Sequence, residues 1–191
     1  MSNTKKGAIF FDRDGTLSEE VGYINHISRF KLSQYTYEAL SLVNKSDYLA
    51  VVTTNQSGIA RGYFPEELLE KVHQKMNEQL KKKNVYLDGI YYCPHHEFGE
   101  IEKFRIKCNC RKPEPGMILK AAKELNIDLS KSFVVGDKYT DVELGYNAGA
   151  KSIMVMTGYG IGEYTYQQHT WKVFPHHIAE NALEAVKIIL K

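Results

Sequence analysis

Short apolar runs alternate along the chain with segments whose apolar residues recur every three or four positions. Ala8 to Phe11 is uniformly apolar and reads as a buried strand. Tyr35 to Asn44 follows as a helix with Ala39, Leu40 and Val43 inward, and Tyr48 to Val52 reads as the next strand. Pro65 opens a long helix marked by Leu68, Leu69, Val72, Met76 and Leu80, with Asn84 as its stop. Gly89 to Tyr92 is a third strand, and Cys93 to Pro115 a long loop. Met117 to Leu125 is helical, Ser132 to Val135 a strand, Asp141 to Ala148 a helix closed by Gly149, and Ser152 to Met156 a fifth strand. Ile178 to Leu190 reads as the last helix, with Ile178, Ala182, Val186 and Leu190 on one stripe.

Strands alternating with helices predict an α/β fold, a three-layer parallel sheet covered on both faces. Ligands of such sheets bind beyond the carboxyl ends of the strands. That rule selects Asp12 and Asp14 after the first strand, Thr54 after the second and Asp137 after the fourth. No linker, repeat or low-complexity tract divides residues 1–191, so one domain is expected.

Charge and composition narrow the function. A formal net charge of +2 gives no field suited to a nucleic-acid backbone or an anionic membrane. The polar start, Met1 to Lys6, leads into an apolar run too short for a signal peptide or a membrane helix, and a cytoplasmic, monomeric enzyme without nucleic-acid or membrane partners is expected. Three cysteines, an odd number, argue against a disulfide framework.

Two carboxylates one residue apart, Asp12 and Asp14, can divide one reaction between them. One attacks phosphorus, and the other protonates the leaving oxygen and later deprotonates water. Gly15 allows the turn and Thr16 braces it. Asp137 supplies a hard oxygen from another strand, a donor set suited to Mg²⁺. Thr54, Asn55 and Lys112 offer donors and a positive charge to an incoming phosphate. A phospho-acceptor signalling module would also place an aspartate and Mg²⁺ at a strand end. Asp14 argues against it, since a switch has no need of an acid/base beside its acceptor.

Asp12-Arg13-Asp14-Gly15-Thr16, Thr54, Lys112 and Gly136-Asp137-Lys138-x-x-Asp141 resemble the four ordered motifs of the haloacid dehalogenase superfamily. The resemblance implies Asp12 as nucleophile and Asp14 as general acid/base, with Thr54 and Lys112 stabilising the phosphoryl group. It also implies Mg²⁺ held by the side chains of Asp12 and Asp137 and the backbone carbonyl of Asp14, with Asp141 supporting the metal shell.

Cys93, His95, Cys108 and Cys110 make a second constellation, with residues 96–107 between its halves. Three thiolates and an imidazole suit a closed, tetrahedral, structural Zn²⁺ site that would order the 93–110 loop. His96 is the alternative ligand; His95 is preferred because Cys-x-His puts both side chains on one side of an extended segment. Such a clip would fix Lys112 and aim Arg111 across the site mouth.

Thr54-Asn55-Gln56-Ser57-Gly58-Ile59-Ala60-Arg61-Gly62, Cys93-Pro94-His95-His96 and Cys110-Arg111-Lys112-Pro113 together resemble the D,D-heptose 1,7-bisphosphate phosphatase family over nearly the whole chain. The resemblance implies a Rossmann-like, essentially capless enzyme. It would remove the 7-phosphate of D-glycero-D-manno-heptose 1,7-bisphosphate and leave the 1-phosphate, which feeds activated-heptose synthesis for lipopolysaccharide or surface-layer glycans. Substrate contacts are implied at Glu20, Val21, Gly22 and Tyr23, at Thr54, Asn55, Gln56 and Ser57, and at Arg111, Lys112 and Lys138. Val21 stands where the family often has histidine. Histidinol-phosphate phosphatases, with similar acids and zinc loops, are the alternative. Among the remaining histidines, His73 is expected to face solvent, and His176 and His177 to form a surface pair.

Overall fold

The computed structural model describes residues 5–191; Met1 to Thr4, part of the polar start, lie outside the described residues. Six strands form one parallel sheet: β1 (Ala8–Phe11), β2 (Leu49–Asn55), β3 (Gly89–Cys93), β4 (Phe133–Gly136), β5 (Lys151–Val155) and β6 (His177–Ala179). Their spatial order is β3-β2-β1-β4-β5-β6. The chain reverses its direction of growth between β1 and β4, so their carboxyl ends border the crevice where such sheets bind ligands.

Uninterrupted apolar strands follow from burial on both faces. Ile9 and Phe11 enter a core with Val52, Val135, Leu40, Met76 and Val186. Ala8 and Phe10 enter the opposite core with Val51, Val134, Ile118 and Leu144. Helices α1 (Thr36–Asn44) and α2 (Glu66–Lys81) cover the first face, and α3 (Gly116–Glu124) and α4 (Tyr139–Ala148) the second. No separate cap domain interrupts this order among the described residues.

The structure departs from the sequence expectation at the C-terminal end. A helix α5 (Gly160–Gln167) follows β5, and the expected final helix splits into β6 and α6 (Ala182–Ile189). Ile178 pairs with Met154 in the sheet and is no part of a helical stripe. Asn181 starts α6 by accepting the backbone N–H groups of Leu183 and Glu184, so the i, i+4 spacing from Ile178 to Ala182 crosses a cap. Strand β2 also runs further than expected, placing Thr53, Thr54 and Asn55 inside the sheet.

Candidate active site

Strand pairing brings the candidate acids together. The Asp12 N–H donates to the Val135 carbonyl at 2.8 Å, so the β1–β4 ladder carries Asp12 to the mouth of the crevice. β4 ends one residue before Asp137, and α4 opens with Asp141 in its first turn. Carboxylate oxygens of Asp12, Asp137 and Asp141, all three residues buried, lie within 4.8 Å of one another.

Lys112 partly offsets this charge. Its ammonium donates to Asp12 Oδ1 and to Asp141 Oδ1, each at 2.6 Å, and to the Thr53 carbonyl at 3.0 Å. Asn55 fixes the backbone of Lys112: its Oδ1 accepts the Lys112 N–H at 3.0 Å and its Nδ2 donates to the Lys112 carbonyl at 3.2 Å. Burial lowers the ammonium's proton affinity, but the two carboxylates reverse this and leave its pKa above the ordinary lysine value.

Burial raises the Asp12 pKa to about 6 against the pull of Lys112. For Asp137 burial is again the first cause, followed by Asp12 and Asp141, and its pKa rises to about 8. Asp137 Oδ2 accepts the Tyr159 N–H at 2.8 Å, while Oδ1 is buried without a hydrogen-bond partner. Gly15 and Gly158 flank Oδ2 so closely that a Cβ on either would overlap it. Gly15 also has φ of 85°, in the left-handed region. An orphaned buried oxygen beside two further carboxylates, with charge left over after Lys112, is the donor set of a hard divalent cation. Asp12 and Asp137 would hold it, with Asp141 paired to Lys112.

Asp14 is held differently. Arg13 donates to it twice, from Nε to Oδ1 at 2.9 Å and from Nη2 to Oδ2 at 2.6 Å. Ser18 Oγ donates to Oδ1 at 3.1 Å and Gln56 Nε2 to Oδ2 at 2.9 Å. Burial would raise its pKa, but Arg13 and these hydrogen bonds outweigh burial and hold it below the usual aspartate value. Gln56 also donates to Thr54 Oγ1 at 2.9 Å, tying the two strand ends together.

Asp12, Asp14, Thr54, Lys112, Arg111 and Lys138 border a cleft of about 350 Å³. Glu20, Gly22, Tyr23, Asn55, Gln56 and Ser57 border it too, as do Ile24, Thr140 and Tyr159, which the motifs did not mark. Lys138 lies 3.6 Å from the Glu20 carboxylate and 4.4 Å from the Tyr159 ring centre. Val21 packs against the core and is not among the cleft-lining residues. Tyr159 escaped notice because it lies in the unrecognised turn before α5, with only its spacing after β5 as a signal.

The Cys/His cluster lies beside this cleft. Ligand atoms of Cys93, His95, Cys108 and Cys110 lie within 4.8 Å of one another. Cys110 Sγ is 3.2 Å from the sulfurs of both Cys93 and Cys108, and 3.3 Å from His95 Nδ1. Four soft and borderline donors converge here without a disulfide, a set that could hold a metal ion such as zinc. His96 turns elsewhere and accepts from Arg61 Nη2 at 2.9 Å. Arg111 Nη1 donates to the His95 carbonyl at 3.5 Å, linking cluster and cleft.

His73 corrects an expectation: it is half-buried and turned towards Arg13 rather than free in solvent. Arg13 Nη1 donates to its Nε2 at 3.1 Å. His176 and His177 are both exposed, as expected of a surface pair, and His176 accepts the Ser152 N–H at 3.1 Å.

The D-glycero-beta-D-manno-heptose-1,7-bisphosphate 7-phosphatase of Pasteurella multocida (strain Pm70) is 49% identical over 83% of this chain and 86% of its own length. The chain belongs to this phosphatase family. The enzyme of the same name from Escherichia coli (strain K12) is 46% identical over 79% of this chain and 80% of its own. A family model described as "HAD-hyrolase-like" matches residues 109–185, the part of this family's fold that carries Lys112 and the last acidic motif. Among solved structures, a D,D-heptose 1,7-bisphosphate phosphatase from B. bronchiseptica, complexed with magnesium and phosphate, superposes with a TM-score of 0.83. It is 27% identical, and the match covers 96% of this chain and 98% of that one. The capless parallel architecture is therefore that of the family.

Proposed function

We propose that this protein is a Mg²⁺-dependent phosphatase that removes the 7-phosphate of D-glycero-D-manno-heptose 1,7-bisphosphate. The observation that carries the chemistry is the convergence of Asp12, Asp137 and Asp141 within 4.8 Å, with one Asp137 oxygen buried and unpartnered. The substrate follows from relatives of that name at 46 to 49% identity.

In this reading an Asp12 carboxylate oxygen attacks phosphorus and the sugar oxygen departs, taking its proton from Asp14. Water, losing a proton to Asp14, then breaks the acyl phosphate, and inorganic phosphate leaves with Asp12 regenerated. Asp12 and Asp137, with the Asp14 carbonyl, would hold Mg²⁺, whose positive charge would offset that of the phosphoryl oxygens. Lys112 and Thr54 add donors from the protein. The Arg13 pairing favours ionised Asp14, the form that receives the proton in the second half.

Arg111 and Lys138 on the cleft wall are the cations for the 1-phosphate, with Glu20, Gly22, Tyr23, Gln56 and Ser57 around the sugar. Zn²⁺ in the Cys93–His95–Cys108–Cys110 cluster would be structural. No helix among the described residues is long and apolar enough to cross a membrane. A cytoplasmic, monomeric, single-domain enzyme completes the reading.

The test is phosphate release from the α and β anomers of the heptose bisphosphate and from histidinol phosphate, each with Mg²⁺. The expected result is a kcat/KM preference of at least about 100-fold for a heptose bisphosphate, since a missing second anion leaves polar groups unpaired. Preference for histidinol phosphate would overturn the assignment.

A further inference from the structure

Arg13 is a charged side chain only 1% exposed, and its whole fork is used. Two of its nitrogens hold the Asp14 carboxylate. The third, Nη1, reaches across to α2 and donates to His73 Nε2 at 3.1 Å. The guanidinium also lies 6.0 Å from the Phe30 ring centre.

Arg13 and Asp14 are neighbours on one turn, so their pairing alone does not fix either against the rest of the protein. His73 belongs to a helix anchored separately, with Val72 and Met76 buried in the core. Its ring is 5.7 Å from that of Tyr92, the residue before Cys93. A guanidinium has only donors, so Nε2 must be the acceptor and the imidazole neutral. Burial, with Arg13 adding to it, keeps the His73 pKa near 3, so the acceptor form is present at neutral pH. His73 does not border the cleft.

We infer that His73 is a positioning residue for Arg13, and through Arg13 for the Asp14 carboxylate. This rests on the reading of Asp14 as acid/base. Ser18 and Gln56 also hold Asp14, so the effect of losing His73 is partial. A helix histidine that merely filled space would lower stability when removed and leave kcat per folded molecule unchanged.

The experiment measures kcat, KM and thermal midpoint for the Mg²⁺-loaded wild type, His73→Ala, His73→Gln and Asp14→Asn on the heptose bisphosphate. His73→Ala is expected to lower kcat by about tenfold, a fraction of what misplacement by an ångström can cost, with KM within roughly twofold. His73→Gln, whose amide oxygen can accept from Arg13, is expected to restore most of the loss even if its midpoint stays low. Wild-type kcat in His73→Ala overturns the inference. So does an equal loss in the Ala and Gln variants, or a loss confined to KM. Wild-type turnover in Asp14→Asn would instead overturn the acid/base reading on which the inference stands.

Discussion

The acid pocket and the Cys/His cluster both gather groups that repel or ignore one another, but the protein holds them by opposite means. Asp12 and Asp137 sit at the ends of adjacent strands, and their backbone positions follow from the β1–β4 ladder. Lys112, Asn55 and Tyr159 grip the side chains or their neighbours. The cluster has one ligand on a strand, Cys93, while His95, Cys108 and Cys110 lie on irregular chain. Phe104, partly buried against Ile59, Phe64 and Leu69, is the loop's main apolar anchor. The first site should therefore keep its shape without its ion, whereas the second should need its ion to have a shape.

The largest effect tests the catalytic side of this contrast. Asp14→Asn is expected to lower kcat by roughly 1,000-fold or more, as general acid/base groups that serve two steps do. Its Mg²⁺ affinity should stay near wild type, because only the backbone carbonyl is proposed as ligand. Asp137→Ala should instead lose Mg²⁺ binding itself. Calorimetric titration of both metal-free variants separates the roles, and weak Mg²⁺ binding in Asp14→Asn alone would contradict them.

The next effect tests the loop. Cys108→Ser removes one of four donors and leaves the strands untouched. Zinc content should fall well below one per chain, and stability should drop by more than the roughly 0.5 to 3 kcal/mol of an ordinary substitution, since loss of a metal is among the causes of larger losses. Limited proteolysis should then cut within residues 96–107 while β1 and β4 stay protected. Full zinc occupancy in this variant would refute the ligand set, and equal protection of both regions would remove the contrast.

How much was legible in the sequence also divides along these lines. The strand ends announced themselves because buried parallel strands are uniformly apolar and end abruptly at Asp12 and Asp137. Cysteine spacing announced the cluster, since all three thiols of the chain fall within residues 93–110. The C-terminal third was harder. β6 has three residues and α5 is Gly- and Tyr-rich, so neither leaves a strong period. Helical spacing continued by chance from Ile178 into α6, hiding the cap at Asn181. His73 was misjudged because Lys71, Gln74 and Lys75 around it are polar or charged, while its partner, Arg13, lies 60 positions away. An arginine inside an acidic motif gave no warning that it would need an acceptor from another element.

The smallest effect concerns that hidden contact and sharpens the idea that the acid pocket is held by protein alone. His73 titrates near 3 in the folded protein, below its ordinary value of 6.5, because of burial first and Arg13 second. Between these values the unfolded chain takes up a proton that the native chain refuses. The contribution of His73 to stability is thus fully present above pH 6.5 and is lost as pH falls toward 3. The acids whose pKa values are raised, Asp12 and Asp137, act in the opposite sense, so only a comparison isolates the histidine. Denaturant midpoints of wild type and His73→Gln, both with Mg²⁺, should converge on acidification: wild type should lose about 1 to 2 kcal/mol more than the variant between roughly pH 7.5 and pH 5, from a limiting slope of about 1.4 kcal/mol per unit. Parallel stability curves would mean that His73 is protonated alongside Arg13 at little cost, and that the neutral acceptor is not what holds the guanidinium.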